Sequence, residues 1–75
     1  MKQTEETFGD RLRQAREARG WTQDEFAEHA GMSRPHVSRY ECGSVIPSVK
    51  SLVKLCSELG VTADWLLGLS EEGGP

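Results

Sequence analysis

The sequence predicts an all-α domain of five short helices, and three observations predict it. Five times a Ser or Thr opens a helical run that a glycine closes: Thr7 to Gly20, Thr22 to Gly31, Ser33 to Gly43, Ser48 to Gly60 and Thr62 to Gly68. Inside these runs the apolar residues fall at helical spacing, and no stretch alternates apolar and polar long enough to read as a strand. The chain has 75 residues, room for one domain. A capping hydroxyl oxygen accepts from an otherwise unbonded N–H in the first turn. A glycine just past the last turn closes it in the left-handed conformation.

Each element follows from these signals in order. The first helix opens at Thr7, which forms a capping box with Asp10, a shorter acid than the usual Glu. Phe8, Leu12 and Ala15 make its apolar stripe. The second opens at Thr22, with Glu25 completing the Ser/Thr-x-x-Glu box, and carries Phe26, Ala27 and Ala30 on one face. The third opens at Ser33 and turns Val37 and Tyr40 inward. The fourth opens at Ser48, after Pro47, whose missing N–H costs little there. It is lined by Leu52, Leu55, Cys56 and Leu59. The fifth opens at Thr62 and crowds Trp65, Leu66 and Leu67 into a few residues. Trp21–Phe26, Met32–Val37 and Val61–Leu66 have the spacing of hydrophobic staples. No run is long enough to be stable alone, so the stripes must share one core. Residues 1–6 are expected to form a flexible arm, 7–69 the folded domain, and 70–75, polar and Gly/Pro-rich, a flexible tail.

Composition narrows the function classes. There are 12 Asp and Glu against 9 Lys and Arg, a net charge of −3. No apolar run approaches the ~20 residues of a membrane-spanning helix. Residues 1–15 hold no apolar core of a signal peptide. Cys42 and Cys56 form no C-x-x-C pair, which points away from a disulfide framework or zinc site and toward a reduced, cytoplasmic protein. A domain this small buries only ~60% of its unfolded surface, leaving little room for a deep pocket. Ser38, His36 and the acidic residues form no nucleophile–base–orienter set on short exposed helices, so an enzyme is not expected. No cofactor, metal or small-molecule site is evident. The acidic balance, taken alone, argues mildly against nucleic acid.

The tight connection between the second and third helices points the other way. Only Gly31 and Met32 separate one run from the next cap. Helices joined so closely cross at a steep angle, the helix-turn-helix arrangement. Ala27 is small where the third helix approaches the second, Gly31 supplies the turn, and Val37 plugs the gap.

Phe8-Gly9-Asp10-Arg11-Leu12-Arg13 with Arg16, then Trp21-Thr22-Gln23, Phe26-Ala27, Gly31-Met32-Ser33, Val37-Ser38-Arg39-Tyr40-Glu41 and Gly43, resemble the phage-repressor type (Cro/C1, or XRE) helix-turn-helix domain. Ile46-Pro47-Ser48, Leu52, Leu55, Leu59-Gly60-Val61 and Asp64-Trp65-Leu66-Leu67-Gly68 continue the likeness, which covers about residues 7–69. The resemblance implies a compact lambda-repressor-like five-helix domain, a homodimer on a short palindromic double-stranded DNA operator, and regulation of transcription, repression being the usual form. It also implies that Arg16 and Glu41 pair beneath the third helix, and that Gln23 contacts phosphate.

Such a third helix lies in the major groove with its N-terminal residues at base edges. With Val37 and Tyr40 inward, Arg34, Pro35, Ser38 and Arg39 face outward. Arg39 can pair with guanine O6 and N7, worth ~1–3 kcal/mol of discrimination. Arg34 can reach a base or a phosphate. Ser33 and Ser38 specify little, His36 can meet a base, a phosphate or the rim, and Pro35 offers apolar contact alone. Phosphate contacts are expected at the N-terminus of the second helix, around Thr22 and Gln23, and in the loop holding Ser44. That loop departs from the family in having no Lys or Arg, and Cys42 stands where Asn is common.

Val61, Trp65, Leu66, Leu67 and Leu69 place more apolar surface around the fifth helix than it can bury, which points to a two-fold dimer contact. A competing reading is a protein-interaction module of the same fold, an antitoxin-like subunit or antirepressor, since residues 21–43 carry a net −2.

Overall fold

A computed structural model describes residues 6–75; of the expected N-terminal arm, residues 1–5 lie outside the described residues. Among these the chain forms five helices: α1 (Phe8–Ala18), α2 (Gln23–Ala30), α3 (Arg34–Cys42), α4 (Val49–Leu59) and α5 (Ala63–Leu66).

The caps sit where the hydroxyl residues do. Thr7 Oγ1 accepts from the Asp10 N–H at 3.1 Å, and Asp10 Oδ2 accepts from the Thr7 N–H at 3.1 Å. Thr22 and Glu25 repeat the exchange at 3.1 and 2.8 Å. Ser48 and Thr62 accept from Ser51 N–H and Trp65 N–H. Ser33 is the exception: it occupies the cap position, but its hydroxyl makes no capping bond. Pro35 has no N–H to offer, and the His36 N–H already donates to the Ser33 carbonyl at 3.1 Å. The hydroxyl lies instead 2.7 Å from His36 Nδ1.

α3 packs on both α1 and α2, α4 on α2 and α5, and α5 on α1. The shared core holds Leu12, Ala15, Phe26, Ala27, Ala30, Val37, Tyr40, Leu55, Leu59, Val61, Trp65 and Leu66. Full burial of each Leu or Phe contributes about 1.5–3 kcal/mol. The α2–α3 turn closes on Gly31, whose φ of 67° a residue with a Cβ adopts only at a cost. α1 and α3 touch at backbone level: a Cβ on Gly9 would stand 2.2 Å from the Glu41 carbonyl oxygen and 2.9 Å from that of Tyr40.

Two expectations change. Val61, Trp65 and Leu66 do not form a surface for a dimer, because α1 and α4 enclose this short helix and the three side chains complete the core. Leu67 and Leu69 alone of that set stay exposed, at 47% and 75%. The terminal residues, expected to fray, turn back over the α1–α5 seam. The cause is Arg11, buried to 1% exposure. Its Nη1 donates to the carbonyls of Trp65 (2.8 Å) and Ser70 (3.0 Å), and its Nη2 donates to both Glu71 carboxylate oxygens. Nε lies 3.3 Å from Glu6 Oε1. A buried guanidinium must have acceptors, and the tail supplies most of them. The Thr62 N–H also donates to the Gly73 carbonyl at 3.0 Å.

Candidate nucleic-acid interface

The outer face of α3 follows from the inward anchoring of Val37 and Tyr40. At 3.6 residues per turn, fixing those two leaves Arg34, Pro35, His36 and Arg39 exposed and Ser38 half-buried. Ser33 is exposed at the cap. Two of the expected base-reading side chains, Ser33 and His36, bond each other. The His36 ring is also tilted against Tyr40, with centroids 6.3 Å apart.

The orientation of α3 is fixed from beneath. Arg16 Nε donates to Glu41 Oε2 at 2.6 Å, Arg16 Nη2 to Glu41 Oε1 at 3.1 Å, and Arg16 Nη1 to the Trp21 carbonyl at 2.7 Å. One guanidinium thus joins α1, the entry to α2 and the last turn of α3. The hydrogen bonds that Arg16 donates to Glu41 raise its pKa above the ordinary value against the lowering by burial, so this guanidinium keeps its charge.

The expected phosphate contacts are all engaged within the chain. Thr22 caps α2. Gln23 is half-buried and turns inward, its Nε2 donating to Glu41 Oε1 at 3.1 Å. Ser44 closes α3: its N–H and its hydroxyl both donate to the Arg39 carbonyl, at 3.1 and 3.4 Å. What remains open at the α2 end is backbone. Beside it, the Trp21 ring stacks on His29 (centroids 4.2 Å) and on Phe26 (5.9 Å), with the Arg19 guanidinium 5.5 Å from its centroid.

Three features of the exposed surface were not read from the sequence. Asp24 Oδ1 lies 3.7 Å from Arg34 Nε, so an acid of α2 faces a proposed reading residue. Their places, second residue of α2 and first of α3, are the available signal. Cys42 is exposed at the end of α3, and hydrogen bonding with Ser44, aided by the Arg39 charge, lowers its thiol pKa. Ile46, Val49 and Val53 form an exposed apolar strip, 87%, 78% and 62% accessible, running from the loop onto α4.

Among the described residues no helix is long and apolar enough to cross a membrane. A family model described as Helix-turn-helix matches residues 12–66. Over 60 residues the chain is 40% identical to the SPbeta prophage-derived uncharacterized HTH-type transcriptional regulator YonR of Bacillus subtilis (strain 168), covering 80% of this chain and 56% of that protein. The chain spans about half the length of the curated relatives it matches. Among solved structures it is similar to the P22 c2 repressor protein in complex with a synthetic operator, with a TM-score of 0.81 and 25% identity, over 87% of this chain and 98% of that one. It is also similar to the restriction-modification controller protein C.AhdI from Aeromonas hydrophila, with a TM-score of 0.75 and 33% identity, over 80% and 91%.

Proposed function

We propose that this chain, which belongs to the helix-turn-helix family, binds double-stranded DNA through α3 and regulates transcription from a short near-palindromic operator as a homodimer. One observation carries the reading. α3 is locked from beneath by the Arg16–Glu41 pair while Arg34 and Arg39 stand exposed on its outer face. That is what a helix needs to read a groove with defined register. The relatives' names as transcription regulators and the operator-bound P22 c2 repressor support it. Arg39 is the residue assigned to guanine, and Ser33, Pro35, His36 and Ser38 shape the rest of the contact. Phosphates meet the backbone N–H groups at the start of α2 and the Ser44 loop. No catalytic step is proposed.

Leu67 and Leu69 are the residues assigned to the two-fold contact, as the exposed apolar part of the α5 region. Leu69→Ser is expected to weaken association without unfolding the protomer. Sedimentation showing a monomer at high concentration, with or without DNA, rules the dimer out.

The test of DNA reading is selection from a random duplex pool. The parent should enrich one motif, and Arg39→Ala should relax a single position in each half-site. Binding to a random duplex should be weak and weaken further with salt, since a chain of net charge −3 neutralises few phosphates. A selection without any enriched motif overturns the reading. It favours instead a protein-interaction module, whose contact surface would be the Ile46–Val49–Val53 strip.

A further inference from the structure

We propose that Asp24 is a specificity-determining residue that acts by restraining Arg34, an inference that rests on the DNA reading above. Asp24 Oδ1 lies 3.7 Å from Arg34 Nε, and the two side chains are 77% and 62% exposed. The pair spans the turn between the helices, from the second residue of α2 to the first of α3. An exposed pair of this kind is weak, so a well-placed DNA group can join or displace it. Its contact is made through the inner nitrogen of the guanidinium. The terminal amino groups, on a side chain this exposed, stay accessible to a base edge.

Arg34 has two competing fates on DNA. It can reach a base edge, which adds preference for one sequence. It can instead close on a phosphate, which adds affinity for every sequence. The phosphates that such a domain meets lie near the N-terminus of α2, and Asp24 is built into that first turn. Its carboxylate therefore offers Arg34, on the protein itself, the anionic contact that a phosphate would otherwise supply. Held there by Nε, the guanidinium is less free to swing to a phosphate, while its terminal amino groups still reach a base edge. Asp24 thus lowers the sequence-independent share of binding more than the sequence-dependent share.

The experiment compares the parent, Asp24→Asn, Asp24→Glu, Arg34→Ala and the double variant Asp24→Asn with Arg34→Ala. Each is titrated with the duplex that the parent selects from a random pool and with a scrambled duplex, between about 50 and 200 mM salt. Asp24→Asn should bind the scrambled duplex about two- to fivefold tighter, with a log–log salt slope steeper by about one phosphate contact. Its binding to the selected duplex should change less, so the ratio of the two affinities falls. Asp24→Glu keeps the charge and should retain the parent's ratio. In the Arg34→Ala background, Asp24→Asn should leave the ratio unchanged. Melting curves that match the parent's show that the variants are folded, as expected for exposed positions. An unchanged ratio in Asp24→Asn overturns the proposal, as does an equal change in the absence of Arg34. A parent that discriminates between duplexes while Asp24→Asn does so equally well sinks this inference alone. A parent that prefers no duplex sinks the DNA reading and this inference with it.

Discussion

Arg16 Nε and Glu41 Oε2 lie 2.6 Å apart, a contact that ties α1 to the last turn of α3. Both side chains are nearly enclosed, at 10% and 6% exposure. Removing one partner strands the other's charge in a poorly hydrated site. Glu41→Ala should therefore lose about 3 kcal/mol of stability, read from urea unfolding at neutral pH. Arg16→Lys keeps the charge but not the fork that reaches Glu41 and Trp21 together, and should lose about 1–2 kcal/mol. A Glu41→Ala midpoint equal to the parent's would show that the pair is not formed in solution.

Gly9 faces a backbone it cannot give way to. Gly9→Ala should destabilise by about 1–3 kcal/mol, because the new methyl meets the Glu41 and Tyr40 carbonyls rather than a flexible side-chain end. The same substitution should weaken DNA binding beyond the loss of folded protein, since relief of the clash requires α3 to move. Gly20→Ala is the contrasting control: it meets no atoms within 4 Å and should cost only its left-handed backbone strain.

Deleting residues 70–75 should cost about 2 kcal/mol, the loss of charge-assisted hydrogen bonds from a buried guanidinium to Ser70 and Glu71. Glu71→Gln should reproduce part of that loss, and Glu72→Gln none. Thermal melts that do not distinguish the truncated chain from the parent would sink the tail's role as a clasp.

The two thiols should behave oppositely. At neutral pH the exposed Cys42, its pKa lowered by hydrogen bonding with Ser44, should react with a disulfide reagent about tenfold faster than Cys56. Burial raises the Cys56 pKa above its ordinary 9.0, so the folded state holds this proton more tightly than the unfolded one. Its contribution is fully present below pH 9.0 and declines as pH rises above that value and through the higher folded pKa. Stability measured in Cys56→Ala should lack that part of the alkaline decline.

The helix ends were legible because a cap is a local device. Thr7 with Asp10, and Thr22 with Glu25, need only residues three apart, and both boxes form as their spacing implies. The inward turn of Val37 and Tyr40 follows from periodicity in the same way. Arg11 was missed although Phe8, Arg11, Leu12 and Ala15 share one stripe. Its charge argued for the surface, and the acceptors that allow burial come from residues about sixty positions away. The partition of Trp65, Leu66, Leu67 and Leu69 between core and surface was equally non-local, since it depends on how α1 and α4 close around α5. Asp24 facing Arg34 depends on the crossing angle of two helices, which the short turn makes steep but does not specify to the ångström.

The two tryptophans stand in contrasting surroundings, and this gives the molecule a pair of intrinsic optical probes. Trp65 is buried with the Arg11 guanidinium 5.0 Å from its ring, so its emission registers whether the α1–α5 seam is closed. Trp21 is half-buried beside His29 and Arg19 at the mouth of α2, and its emission registers what arrives there. With Trp21→Phe and Trp65→Phe measured in parallel, one spectrum follows integrity of the fold and the other follows occupancy of the face, without any attached label.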